Sequence, residues 1–112
     1  MADQVLDRIQ QELDRAEEAR KVGNPGMMRV CARRAAGIAI TAWLDNNPRR
    51  GWGIDAVTQL QHLEAENEIS RDVRLAAQRL TARVNVDFQH PFQNDPVEDC
   101  RLIINALLGP VS

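Results

Sequence analysis

Arginine supplies most of the chemistry this sequence can offer: 13 of its 14 basic residues are arginine, and Lys21 is the exception. A guanidinium stays charged at any ordinary pH and presents its donors in a planar fork that fits carboxylates and phosphates. Three groups stand out. Arg49 and Arg50 precede Gly51, Trp52 and Gly53, just ahead of a helix start. Two guanidiniums, backbone N–H groups at a helix start and a ring able to stack on a base make Arg49, Arg50 and Trp52 a candidate nucleotide or anion site. The same residues also suit a connecting loop whose Trp52 plugs one end of a helical bundle. Arg29, Arg33 and Arg34 lie close together on an otherwise apolar segment. They suit an anion or partner site, or ion pairs with Asp14, Glu17 and Glu18 on the preceding segment, which add little stability. The third group is Arg83 and His90, with six residues between them and Asp87 among those six. An arginine on a phosphate beside an imidazole acting as general acid or base is a way to cleave RNA through its 2′-hydroxyl without a metal. Asp87 would orient the imidazole. The competing reading has His90 hydrogen-bonded to a loop carbonyl.

Other chemistry is thinly represented. Cys31 and Cys100 both sit in apolar helical patterns, no Cys-x-x-Cys occurs, and His62 and His90 stand far apart. A local zinc site is therefore excluded, and the thiols read as small buried groups of a reducing compartment, with one disulfide between them as the alternative. His62, among Leu60, Gln61 and Leu63, reads as a partly exposed helix histidine. Glu17-Glu18 and Glu98-Asp99 read as helix-surface and helix-start charges. No Ser-His-Asp or Cys-His constellation follows from local spacing, and no phosphate-binding glycine loop is present, so no cofactor is expected.

These side chains need elements to position them, and the periodicity is helical throughout. Leu6, Ile9, Leu13 and Ala16 mark a first helix over residues 2–22, ended by Gly23 and the turn Asn24-Pro25-Gly26. So short a turn makes an antiparallel hairpin with a second helix over residues 27–44. Residues 35–44 are apolar nearly all round, which makes this helix central or covered by a second subunit. Ala32, Ala35, Ala39 and Ala42 form a small-residue stripe, and Gly37 belongs to close packing. Residues 46–53 form a loop. Ile54, Val57, Leu60 and Leu63 mark a short third helix. Ser70 and Asp72 start a fourth, with Val73, Ala76, Ala77, Leu80 and Val84 as its apolar face. Periodicity is lost over residues 85–95, where Phe88 and Phe92 bracket His90-Pro91. Asp95-Pro96-Val97-Glu98 combines a cap, a first-turn proline and an acidic third position, so a fifth helix starts there and runs to Gly109-Pro110.

The 112 residues thus form a single domain, 1–112, an all-α antiparallel up-and-down bundle of four to five helices. Hydrophobic residues are 44% and charged residues 27%, which excludes a disordered tail. A net charge of −2 argues against a whole-surface nucleic-acid binder, and 4% aromatics against a base-stacking sheet. The N-terminal residues lack an uninterrupted apolar run after a basic start, and residues 35–44 are half as long as the ~20 residues a membrane span needs. A cytoplasmic protein with no membrane partner is expected.

The long first helix, the Gly23-Asn24-Pro25-Gly26 turn, the run Arg33-Arg34-Ala35-Ala36-Gly37-Ile38-Ala39, the Arg83…His90 element and Asp95-Pro96-Val97-Glu98-Asp99-Cys100 together resemble the HEPN superfamily of small prokaryotic helical domains. The resemblance spans nearly the whole chain and is one of layout. It implies a four- or five-helix bundle that pairs as a homodimer. Such domains accompany a nucleotidyltransferase-like partner protein, bind nucleotides or RNA, or cleave RNA as toxins. The cleaving members carry an Arg, four to six residues and a His, which Arg83 and His90 match. Val84 after the Arg, usually a polar residue, and Pro91 after the His depart from that pattern. The expected function is a dimeric module binding a partner protein, nucleotide or RNA without catalysis, with a metal-independent endoribonuclease using Arg83 and His90 as the alternative.

Overall fold

The computed structural model describes residues 2–82 and 95–109. Arg83 and His90 lie outside the described residues, as do Val84, Asp87 and Pro91. The described chain is all-helical: α1 Ala2–Lys21, α2 Pro25–Asn46, α3 Ala56–Ala65, α4 Arg71–Thr81 and α5 Pro96–Leu108.

Local signals account for the helix ends. Gly23, at φ 72°, stops α1 in a conformation that a side chain resists. The second helix starts two residues before the apolar spacing predicts. Asn24 accepts from the Met27 N–H at 3.0 Å, and Pro25 takes the first helical position, where its missing N–H costs nothing. The third helix starts later than expected. Asp55 caps it, accepting from the Thr58 N–H and hydroxyl at 3.0 Å each, which leaves Ile54 outside the helix and 96% exposed. Ser70 and Asp95 cap α4 and α5 as their sequence contexts predict. Asp95 also accepts from Arg20 at 2.6 Å, tying the end of α1 to the start of α5.

The central element is α2, which packs against each of the other four helices. Ala32, Ala35, Ala36, Ala39 and Ile40 are all fully buried. The first half of the apolar stretch is thus largely covered by the chain's own helices, while Ile38, Ala42, Trp43 and Leu44 are half-buried and Thr41 is exposed. Its small side chains let neighbours come close, most of all at Gly37: a Cβ there would stand 2.9 Å from the Ala56 Cβ at the start of α3. Cys31 and Cys100 are buried, unpaired thiols. Burial pushes Cys100 up to about 12, and burial together with the nearby Glu12 charge raises Cys31, so both resist ionisation. No helix among the described residues is long and apolar enough to cross a membrane.

Candidate functional site

The arginines sort into three settings. Arg29 and Arg33 do not pair with the acidic residues of α1, as one sequence reading had them. They reach the C-terminal end of α4. Arg29 donates to the carbonyls of Arg79 and Ala82, and Arg33 to that of Leu80. A helix C-terminus leaves its last carbonyls without intrahelical partners and carries partial negative charge, so two cations there satisfy both needs. Arg79 is held in turn by Asp99 of α5 through a forked contact at 2.8–3.2 Å, with Asp99 only 4% exposed. Burial, then the Arg33 charge, lowers Arg29 to about 10, and burial also lowers Arg33. This cluster joins α2, α4 and α5 next to the point where residue 83 follows.

The second setting is the loop after α2. Arg49 donates to Glu66 at 3.0 Å and to Glu68 at 2.8 Å, and its guanidinium lies 5.2 Å from the centre of the Trp43 ring. Its hydrogen bond holds the Glu66 carboxyl below the usual range. Trp52 is 6% exposed, 5.7 Å from Trp43 and stacked on His62 at 5.5 Å. Arg49 and Trp52 therefore anchor the loop to the end of α3. Of the three residues expected to hold an anion, only Arg50 is exposed. The physical reason is local: two carboxylates just past α3 neutralise Arg49, and Trp43 and His62 occupy the Trp52 ring faces.

The third setting escaped the sequence reading. A groove of about 430 Å³ runs between α1, α2 and the start of α3, lined by Arg8 and Glu12 of α1, Arg34 and Gly37 of α2, and Asp55 and Gln59. Gln59 is 1% exposed. Its Nε2 donates to the Thr41 hydroxyl and to the Gly53 carbonyl at 3.0 Å each. A carbonyl accepts only, so these bonds fix the amide orientation. The Gln59 Oε1 stands 3.4 Å from where a Cβ on Gly37 would lie, and it has no hydrogen-bond partner among the described residues. Glu12 is 9% exposed. One of its oxygens accepts from Arg15 at 2.9 Å, and the carboxylate lies close enough to the buried Cys31 thiol to raise it further. Arg8 and Arg34 are exposed and form no ion pair among the described residues. Arg8 and Arg34 thus bring two exposed cations to a groove whose lining includes the buried Gln59.

The missed signal lies in the helical register. Ala56, Gln59, Leu60 and Leu63 share one face of α3, and Ile9, Glu12, Leu13 and Ala16 one face of α1. A polar residue on a core stripe marks a buried group in need of a partner. Among the described residues no cluster of three or more His, Cys, Asp or Glu comes together to hold a metal ion. Comparison of the chain with protein-family models, with curated proteins and with solved structures finds no match.

Proposed function

We propose that this chain is a small binding module that takes a nucleotide, free or at the end of an RNA, in the groove between α1, α2 and α3. The observation that carries the reading is that exposed Arg8 and Arg34 line one groove with the buried Gln59, whose Oε1 has no partner among the described residues. Buried polar atoms without partners are uncommon in folded proteins and mark places where a ligand's donors are welcome. Guanidiniums beside them suit a phosphate. A volume of about 430 Å³ lies toward the small end of ligand pockets and suits a mononucleotide-sized ligand.

The resemblance in layout to HEPN domains supports the same reading and adds two parts to it: the module pairs as a homodimer and accompanies a nucleotidyltransferase-like protein, in the cytoplasm that the sequence alone suggests. The coverage of the first half of the α2 apolar stretch weakens one motive for pairing, so the dimer rests on that resemblance. Light scattering at micromolar concentration tests it; a mass of 12.6 kDa throughout would remove the dimer. Calorimetric titration with mononucleotides at low salt tests the groove. Binding weakened by Arg34→Ala and untouched by Arg50→Ala is the expected result. The reverse pattern would move the site to the loop after α2. The endoribonuclease alternative rests on the spacing of Arg83 and His90, and its test is mixed RNA in EDTA with wild type beside His90→Ala. Degradation that the substitution abolishes would replace the binding module with an enzyme.

A further inference from the structure

We infer that α1 is a hinged strap: it lifts off α2 as a unit about Gly23 while α2–α5 stay folded, which makes it the movable wall of the grooves on either side of it. The inference goes beyond the nucleotide reading and stands without it. Among the described residues α1 packs on α2, and on no other helix to a comparable extent. Grooves part it from its neighbours on both flanks. One, of about 430 Å³, lies between Arg8 and Glu12 and the start of α3. The other, of about 200 Å³, lies between Ile9 and Leu13 and the α5 residues Arg101, Ile104 and Asn105. The ion pair that bridges α1 to α5 is Arg20 with Asp95, whose side chains are 41% and 30% exposed. An ion pair so open to water adds little to the hold.

The grip on α2 is light for the length of the helix. Along its 20 residues α1 buries two large apolar side chains, Ile9 and Leu13, with Ala16 and Ala19 beside them, while Leu6 is exposed. In 13 residues α5 buries Val97, Cys100, Ile103 and Ile104. Segments with few buried apolar contacts open at lower free energy than the core they rest on. The hinge also lets the two helices part. Gly23, at φ 72°, ends α1, and the Asn24 N–H closes that end by donating to the Ala19 carbonyl at 2.8 Å. The Asn24 side chain then caps α2 through the Met27 N–H. Each helix keeps its own terminus, so α1 can leave without unravelling the first turn of α2. Once off, a helix of this length is marginal in water, and its amides open to solvent. Lifting α1 takes Arg8 and Glu12 from one groove and Ile9 and Leu13 from the other, so one motion sets access to both.

Amide hydrogen exchange of the intact chain, followed residue by residue by NMR, tests the strap. After correction for intrinsic rates, the amides of residues 9–20 should share one exchange rate, about tenfold or more faster than the slowest amides of α2 and α5. Urea below the unfolding transition should speed the α1 amides weakly and those of α2 and α5 steeply, because lifting one helix exposes less surface than unfolding the chain. These two measurements need no substitution. Ile103→Val, a mild change at a fully buried α5 position, adds a third. It should speed α2 and α5 by about threefold or more and leave α1 unchanged, because α1 opens without disturbing Ile103. Equal rates for the slowest amides of α1, α2 and α5, moving together with urea and with Ile103→Val, would overturn the strap and make α1 part of one cooperative core. Rates that fall steadily from the first residues toward Gly23 would overturn opening as a unit and leave ordinary fraying of a helix end.

Discussion

Arg33 and Arg34 are neighbours in sequence and opposites in use. On a helix they point about 100° apart, and that rotation separates two chemistries. On one side Arg33 joins Arg29 and, through α4, the Arg79–Asp99 pair, where each cation has an acceptor supplied by the fold. On the other side Arg34 stands exposed in the groove that Glu12 and Gln59 also line, and the Gln59 Oε1 has no partner among the described residues. The first region is tied together by the fold, although the buried Arg29 Nε has no acceptor among the described residues, whereas the second holds exposed cations outside any ion pair among the described residues. Arginine content therefore says little about function until the acceptors are counted. Where acceptors exceed donors at the floor and donors exceed acceptors at the rim, a ligand is the natural complement.

The sharpest way to break this comparison is to open the completed cluster. Asp99→Ala removes a buried carboxylate and leaves Arg79 without its forked partner, which should cost about 3 kcal/mol or more in a urea titration. Arg29→Met keeps the apolar stem and deletes the donors to the Arg79 and Ala82 carbonyls. A loss of about 2 kcal/mol is expected, part of it from the acceptors left bare at the α4 end. If either variant unfolds at the wild-type urea midpoint, the cluster is not the clamp described. Asp95→Ala gives a smaller, independent gauge. It removes the α5 cap at 2.9 Å from the Val97 N–H and the exposed tie to Arg20, for about 1 kcal/mol, nearly all from the cap.

The two regions also differ in how far they can be read from sequence. Caps are local: Ser70 and Asp95 lie within a few residues of the N–H groups they satisfy, so short patterns reveal them. Asn24 and Asp55 are caps of the same kind. The turn residues around Asn24, and the apolar side chain of Ile54 before Asp55, pulled the expected helix starts away from them. Clamps are not local. Arg29 and Arg33 meet carbonyls about 50 residues on, and nothing near them in the chain distinguishes those acceptors from the carboxylates of α1. The loop anchor is intermediate. Arg49 and Trp52 were visible as a pair, but the carboxylates that neutralise Arg49 lie past a whole helix. The groove needed the fold, because the register puts Gln59 and Glu12 on core stripes without showing that those stripes meet. Gly37 was the exception: a glycine inside an apolar helix signals close approach, and the structure places Ala56 there.

The smallest expected effect on stability carries the most information. Arg34→Ala touches an exposed side chain outside any ion pair among the described residues, so its urea midpoint should move by less than about 0.5 kcal/mol. The same substitution should weaken nucleotide binding, and the loss should shrink as salt is raised, because the contact it deletes is between solvent-exposed charges. Arg29→Met provides the contrast: a clear loss of stability, with nucleotide affinity unchanged while the protein remains folded. The two readouts must therefore separate on neighbouring faces of one helix. If Arg34→Ala destabilises the fold as Arg29→Met does, Arg34 belongs to the framework and the division between the two faces is wrong. If Arg34→Ala leaves both stability and binding unchanged, the rim of the groove is not where the phosphate rests. Only a stable protein with weakened, salt-sensitive binding fits a region that the fold left open for something else to complete.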